Sequence, residues 1–427
     1  MLYRKFFLLL YLSLCFLSVS AQEYFSEGKN RLNFAKTYFE LGGQYSPSFN
    51  SKTLNGNVVS FVQNSASLMP YLNIGGIHFW GHADFYISIP LGQINLQKNN
   101  SSDFLLNQSV ITGARFLPLA YKDNRIRPYV GASWAVVNFK QKSTPDNAQP
   151  LFQQNKLLLD LGLLYGKGNW LVRAGINYNY SNKWQYPLSQ TNFQEIETPD
   201  WSGNVSIIYT VETTRSKKME KENERLNQYG NVTKPTKDAL KFGDYFIGAG
   251  FATSFMLSNS KYNNNEYPYF NKKGISRTYL DASIGYHFNR AGIITALSYR
   301  SPKFVNEAFG IKQTIQKNSF ALEAYKFLTD YNGFTPYLGL NITYDNIRFS
   351  ENQNIQKTFN QLNPGITFGW DILPGKTEQF FVLRTNLRWY PFSSIKINGQ
   401  CFSQHQLEYN VIQAVFYPAR YKNAKKK

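Results

Sequence analysis

Cysteine is almost absent from this chain: there are two in 427 residues, Cys15 and Cys401. Cys15 falls within an N-terminal stretch that reads as a secretory leader. A processed chain then keeps Cys401 alone and can form no internal disulfide, even in an oxidising compartment. Histidine is equally scarce, with four residues, His78, His82, His287 and His405. None stands at a spacing from cysteine or carboxylate that makes a metal ligand set. Beyond the leader no apolar run is long enough to cross a bilayer as a helix, because polar residues interrupt each one at short intervals. These shortages exclude a disulfide scaffold, a zinc module and a helical membrane protein. Charged residues make up only 17% of the chain, equal to the aromatic share of 17%. A sequence this aromatic and this weakly charged is short of material for an ordinary water-facing surface.

The leader itself has Arg4 and Lys5 ahead of an apolar run from Phe6 to Leu17. Small residues Val19-Ser20-Ala21 then precede Gln22. That order predicts a signal peptide over 1–21 and export. The net charge of +19 falls by two when Arg4 and Lys5 leave. The remaining cations are scattered through loops, a central linker and the Lys425-Lys426-Lys427 tail. With an exported chain, this argues against a nucleic-acid partner.

What the chain does have is alternation. From Tyr129 onward, Tyr129, Gly131, Ser133 and Ala135 fall on one face of an extended segment, while Val130, Ala132, Trp134 and Val136 fall on the other. This is the period of a strand with two unlike sides. The segment returns 208 residues later as Pro336-Tyr337-Leu338-Gly339, with Tyr337, Gly339, Asn341 and Thr343 sharing a face. Tyr71-Leu72 returns at Tyr279-Leu280, Tyr38-Phe39 at Tyr245-Phe246, Arg173 at Arg384, and Asn204-Val205 at Asn410-Val411. A nearly constant offset across such widely spaced anchors means one unit written twice.

Each copy carries eight candidate strands. In the first they lie near 37–45, 68–80, 82–91, 108–118, 127–139, 155–165, 169–180 and 203–211. In the second they lie near 245–256, 277–288, 291–300, 318–328, 334–347, 361–372, 380–390 and 406–417. Tight links, as at Gly81, Lys122-Asp123-Asn124, Gly166-Lys167-Gly168 and Asn289-Arg290, alternate with long polar connections. Short turns at one rim and long loops at the other are the mark of a membrane barrel, and a soluble sandwich has no reason to sort its loops so. The expected fold is all-β: a transmembrane antiparallel β-barrel of sixteen strands in two homologous eight-stranded halves. The expected divisions are a signal peptide 1–21, a first repeat 22–212, a charged periplasmic linker 213–243 and a second repeat 244–427.

Each half resembles the small eight-stranded outer-membrane barrels of the OmpA/OmpX-like type common in Bacteroidetes. The likeness rests on the Pro-Tyr-x-Gly strand, the loop alternation and aromatic strand ends such as Trp80, Tyr180 and Trp389. It implies an integral protein of the cell outer membrane whose long loops face outward and whose copies begin and end in the periplasm.

Sixteen strands can close once, as a wide porin-like channel, or twice, as two filled barrels. Gly75, Gly113, Gly131, Gly162, Gly175, Gly285, Gly339, Gly365 and Gly369 are expected to face inward, which suits narrow barrels. Inward charges are expected at Glu40, Asp84, Arg115, Asp160 and Arg173, and at Asp281, Arg300, Glu323, Arg384 and Arg388. Two tandem barrels are the favoured reading; the single wide barrel stands as its alternative.

For chemistry, Ser403, His405 and Glu408 are the nearest approach to a hydrolytic set, and proximity in sequence does not make one. Cys401 lacks neighbours arranged to activate it. No cofactor or metal site is expected and the protein is read as non-enzymatic, with a lipid-modifying enzyme as the weakest alternative. Trp134, Tyr165, Trp170, Tyr180, Trp370 and Trp389 read as interfacial girdle. Trp184, Tyr186, Tyr262, Tyr267 and Tyr269 are loop aromatics open to ligand stacking. Expected partners are outer-membrane lipids and lipopolysaccharide, with an extracellular ligand or a periplasmic envelope component as further possibilities.

Overall fold

The computed structural model describes residues 35–211 and 242–425, apart from 56–57, 79–80, 97–102, 110, 143–149, 181, 272, 329–333, 353–354 and 373–379. The signal-peptide segment, nearly all of the linker, and Trp80 therefore lie outside the described residues.

The first unit runs β1 (Ala35–Ser46), a hairpin of β2 (Phe49–Asn55) and β3 (Val58–Asn64), then β4 (Ser67–His78) and β5 (Ala83–Pro90). The two-residue β6 (Ile94–Asn95), β7 (Asp103–Gln108), β8 (Ile111–Phe116), β9 (Arg127–Lys142), β10 (Phe152–Lys167) and β11 (Trp170–Tyr178) follow. A second hairpin, β12 (Lys183–Pro187) and β13 (Phe193–Glu197), precedes β14 (Trp201–Val211). The wall is the ring β1-β4-β5-β8-β9-β10-β11-β14, every neighbour pair antiparallel or a direct chain return. It closes on itself, since β1 pairs with β4 on one side and with β14 on the other.

The second unit repeats the plan. It has β15 (Asp244–Met256), a short helix α1 (Lys261–Glu266), β16 (Tyr279–Phe288), β17 (Ile293–Arg300), β18 (Lys303–Ala308), β19 (Ile311–Phe327), β20 (Phe334–Glu351) and β21 (Ile355–Ile372). Then come β22 (Phe381–Tyr390), the hairpin β23 (Ser394–Ile397) and β24 (Gln400–Ser403), β25 (Gln406–Phe416) and a terminal helix α2 (Pro418–Lys425). The ring is β15-β16-β17-β19-β20-β21-β22-β25, closed by β15 against β25. All sixteen expected strands are present. The single sixteen-stranded barrel is excluded, because β1 returns to β14 of its own copy instead of joining the second sheet.

The walls have the two-sided character that the alternation implied. On β20, Leu338, Leu340, Ile342 and Tyr344 point outward and are exposed, with Leu340 at 68%. Tyr337, Thr343 and Asp345 point inward and are buried. The same division runs along β10, where Leu157, Leu159, Leu161, Leu163 and Tyr165 are exposed and Leu158, Asp160 and Leu164 are buried. Inside, rings lie on glycines: Tyr71 on Gly42, Tyr38 on Gly75, Tyr86 on Gly113, Phe246 on Gly285 and Tyr337 on Gly369. A Cβ at any of these positions would overlap the ring. Small inward residues thus let aromatic side chains from neighbouring strands fill a narrow interior.

One repeat anchor needs correcting. Tyr38-Phe39 matches Tyr245-Phe246 by letter, yet Tyr38 is buried inside its barrel and Tyr245 is 71% exposed. The inward counterpart of Tyr38 is Phe246, one residue further on, because a one-residue slip moves a strand residue to the opposite face.

The long connections are also more ordered than polar loops. Hairpins β2–β3, β12–β13 and β23–β24 occupy three of them. The β23–β24 turn is Asn398-Gly399 with both residues at positive φ, 48° and 78°, the two-residue turn that Asn-Gly favours.

Because no strand pairs across the two rings among the described residues, cutting the backbone between them should leave both folded. With a protease site inserted in 213–241 and cleaved in detergent, each fragment should still shift mobility on heating in an electrophoretic gel. Loss of the shift in either fragment would mean that closure needs both copies.

Candidate functional site

The interior of each barrel is where charge collects, and the alternation places it there. In the first barrel, Glu40 (β1), Asp84 (β5), Arg115 (β8), Asp160 (β10) and Arg173 (β11) converge, all buried. The Arg173 guanidinium donates to Glu40 Oε2 at 2.6 Å and to Asp84 Oδ2 at 2.6 Å. Arg115 donates to Asp84 at 3.3 Å and also pairs with Asp160. Three carboxylates face two guanidiniums, and hydroxyls take up the difference: Tyr38 donates to Asp84 at 2.6 Å and Ser206 to Glu40 at 2.5 Å. Arg115 also lies over the Tyr86 ring, 3.7 Å from its centre. Every one of the five charges expected inside this copy is in one network.

The second barrel builds its belt from other strands. Arg300 (β17) donates to Glu323 at 2.8 Å and to the Tyr390 hydroxyl at 2.8 Å, and pairs with Glu408 at 3.0 Å. Arg388 (β22) donates to Asp281 at 2.7 Å and pairs with Glu323 at 2.9 Å. Arg384 grips Asp371 through two bonds of 2.7 and 2.9 Å. Nearer the long-loop rim, Lys317 pairs with Asp345 at 2.9 Å, and Ser319 and Asn363 each donate to Asp345 at 2.5 Å. Asp345, Asp371, Lys317 and the lumenal place of Glu408 are the members the sequence reading missed. Continuing the alternation from Tyr337 to Asp345, and from Gly369 to Asp371, was the available signal.

Apolar and aromatic side chains gather on both sides of each belt. Toward the short-turn rim of the first barrel, Tyr38, Ile77, Tyr86, Leu117, Tyr129, Leu164, Leu171 and Ile208 form an apolar floor. In the second, Phe246, Ile294, Tyr325, Phe327, Tyr337 and Val415 do the same. At the long-loop end of the second barrel, α1 and the β23–β24 hairpin contribute Tyr262, Ile395, Ile397 and Phe402 to a cluster with Ile347 and Phe349. The first has Phe139 against Trp184 and Tyr186, with ring centres 5.9 and 5.0 Å apart.

That cap overturns the stacking reading for most of the loop aromatics. Trp184 and Tyr186 are fully buried, as are Tyr262 and Tyr269 within a few percent, so these rings are loop cores with no face to offer a sugar. Tyr262 and Tyr267 both donate to Glu351, at 3.1 and 2.6 Å.

The remaining candidates lie apart from one another. His82 Nδ1 lies 2.7 Å from the Leu117 carbonyl, and His287 Nδ1 lies 3.0 Å from Arg420 on α2. The side chain of His78 is outside the described residues. Ser403, His405 and Glu408 do not assemble: Glu408 points into the lumen onto Arg300, while the Ser403 hydroxyl pairs with Ser258 at 2.5 Å. Cys401 is exposed on β24. No group of residues suited to a metal ion occurs among the described residues.

The outer walls decide the setting. Apolar side chains ring each barrel between two aromatic bands. Trp170 and Tyr209, with ring centres 4.9 Å apart, mark the short-turn side of the first barrel, and Tyr178 and Trp201, 4.4 Å apart, mark the other. The nine residues of β11 run from one band to the other, band residues included, and 9–11 tilted residues cross a bilayer core. Closed sheets with exposed leucine rows and paired girdles belong in lipid. Both units are outer-membrane-type β-barrels. Trp134, Tyr165, Trp170, Tyr180 and Trp389 are exposed, as girdle residues must be, and Trp370 is partly so.

No protein-family model matches the chain, and neither does any curated protein. Among solved structures, it is similar to Neisserial surface protein A at 13% identity, covering 41% of this chain and 99% of that one, with a TM-score of 0.31. It is similar to Ail, the attachment invasion locus protein of Yersinia pestis solved with the heparin analogue sucrose octasulfate, at 13% identity, 42% and 99% coverage and a TM-score of 0.28. The COG4313 outer membrane channel from Pseudomonas putida F1 matches at 11% identity over 90% of this chain and 96% of that one, with a TM-score of 0.23.

Two tests address the packing inside. Arg384→Leu removes the guanidinium that pairs with the buried Asp371 carboxylate and should cost about 3–5 kcal/mol in urea unfolding from lipid vesicles, whereas Arg384→Leu with Asp371→Leu should recover most of it. Equal losses in the single and double variants would show that the pair is not the determinant. The loop cap carries its own pH signature, because burial, and then Glu351, push the Tyr262 phenol up to about 12 and raise that of Tyr267 as well. Folded phenols that hold their protons longer than unfolded ones stabilise the cap fully below the ordinary tyrosine range near 10. That contribution should disappear as pH rises from about 10 through the folded value, read as growing protease sensitivity of 391–405; a cap equally protected throughout would refute it.

Proposed function

We propose that this protein is a non-enzymatic component of the outer membrane whose role is structural or surface-interactive, carried by the ordered loops at its long-loop rim. The observation that supports this best is the filling of both interiors. Arg173 and Arg300, at 1% or less side-chain exposure, sit in closed ion-pair networks with an aromatic floor on one side and a hydrophobic cap on the other. A diffusion channel needs a continuous wet lumen with charges facing water, and an eight-stranded barrel is only wide enough for its own side chains.

The loops have what a display surface needs. Their backbones are held by hairpins and by buried rings, so exposed positions such as Lys183, Glu195 and Phe61 are presented on a fixed frame. Binding residues gather on loops held by rigid scaffolds. An extracellular ligand or an envelope partner would meet this surface, and the linker 213–243 offers a second, periplasmic contact region in the expected topology.

The reading is tested by conductance and by lipid chemistry together. Purified full-length chain in planar bilayers should give no large, steady openings; such openings would overturn the closed interior. Cells carrying Ser403→Ala or His405→Ala should keep an unaltered membrane lipid profile, and a changed profile would return the enzyme alternative.

A further inference from the structure

The outer wall of the second barrel changes character abruptly above its apolar band. Phe320 on β19, Tyr344 on β20 and Leu362 on β21 are in register side by side and exposed. They form the last apolar row. The next outward-facing row is Asn318, Asn346 and Asn360. Asn346 donates to Asn360 at 2.7 Å, and the Tyr299 hydroxyl donates to Asn318 at 3.3 Å. One step higher, β18 joins, and the row reads Lys303, Gln316, Arg348, Thr358. The row above it is Val305, Thr314, Ser350 and Gln356, with Val305 its one apolar member.

Strand registers fix these positions, so the spacing follows from the sheet. Neighbouring strands are about 4.8 Å apart, which places the Lys303 and Arg348 backbones roughly 10 Å from each other with Gln316 between. Arg277 adds a third cation beside Lys303, to whose carbonyl its backbone N–H donates at 2.9 Å. No carboxylate occurs among these outward positions. Asp345 and Glu351, on alternate residues of β20, are turned inward and buried, and Glu307 further along β18 is already paired with Lys312 at 3.4 Å. Amides, hydroxyls and two or three cations on one outer wall suit sugar hydroxyls and phosphates together, because arginine matches phosphate geometry and amides serve both donors and acceptors.

The height of the surface selects the occupant. It begins one residue pair beyond the row that ends the apolar band, which is where lipid headgroups lie, and it sits at the long-loop rim, the outward side of an outer-membrane barrel. We propose that the wall formed by β18 to β21 binds the phosphorylated sugar headgroup of an outer-leaflet glycolipid, with Arg348 and Lys303 on its phosphates and the Asn318, Asn346 and Asn360 row beside its sugars. This rests on the membrane placement of the second barrel and not on any role of the loops.

The test uses the full chain reconstituted in phosphatidylcholine vesicles doped with bisphosphorylated lipid A, followed by native mass spectrometry of the detergent-extracted protein. Wild type should retain lipid A, and Arg348→Ala with Lys303→Ala should lower retention about tenfold. Lys122→Ala, which removes an exposed cation from a tight link at the short-turn rim of the first barrel, should leave retention unchanged. Lipid A stripped of phosphate should bind wild type no better than intact lipid A binds the double variant. Equal retention by wild type and the double variant would overturn the site. Equally strong retention of phosphatidylglycerol would overturn the glycolipid assignment. Failure of the chain to insert into the vesicles would instead count against the membrane placement itself.

Discussion

Everything in this protein follows from the need to leave no backbone hydrogen bond unmade in a medium that cannot supply one. Hydrocarbon offers neither donors nor acceptors, so a sheet that enters it has to close. Here closure occurs twice, β1 against β14 and β15 against β25. Each ring of eight strands is then narrow. The narrowness dictates the interior: rings from one strand must lie on glycines of the next, and any charge admitted must find its opposite within a few ångströms. The exterior is dictated by the same closure, since outward residues meet lipid and have to be apolar between the two aromatic bands.

The charge belts show how one architecture can be satisfied by different residues. Arg173 and Arg384 occupy matching places, but Arg173 bridges Glu40 and Asp84 while Arg384 grips Asp371 alone. In both barrels acidic groups slightly outnumber basic ones, and hydroxyls or amides from Tyr38, Ser206, Ser298 and Asn410 donate to the carboxylates. A buried ion pair gives little net stability, yet loss of one partner is expensive. The belts therefore constrain which residues can change together. Each belt lies between an apolar floor and a cluster of loop side chains, so the interior of each barrel is occupied by its own residues.

The outer ends differ between the copies. The second barrel carries its strands β19, β20 and β21 well past the apolar band, turning a membrane wall into a polar one without leaving the sheet. Because side chains alternate strictly, the outward set there is as fixed as the inward one. That rigidity is what allows positions such as Arg348 and Gln316 to act as a surface with defined spacing.

Much of this was written locally. The alternation around Tyr129 and Tyr337, the repeat offset, and the sorting of short and long connections determined a duplicated, membrane-spanning β-barrel, because side-chain period and turn chemistry are properties of neighbouring residues. They also placed Glu40, Asp84, Arg115, Asp160 and Arg173 on one inner face. Asn398-Gly399 is likewise a local hairpin signal, set inside a polar loop. Only the tertiary structure decided that the sheets close separately, since pairing of β1 with β14 links residues some 170 positions apart and leaves no mark in either strand. It alone showed that Trp184 and Tyr262 are buried, because loop burial depends on what folds over a ring and not on its neighbours in sequence. The headgroup-level row of Lys303, Gln316, Arg348 and Thr358 likewise exists only through the register of four strands.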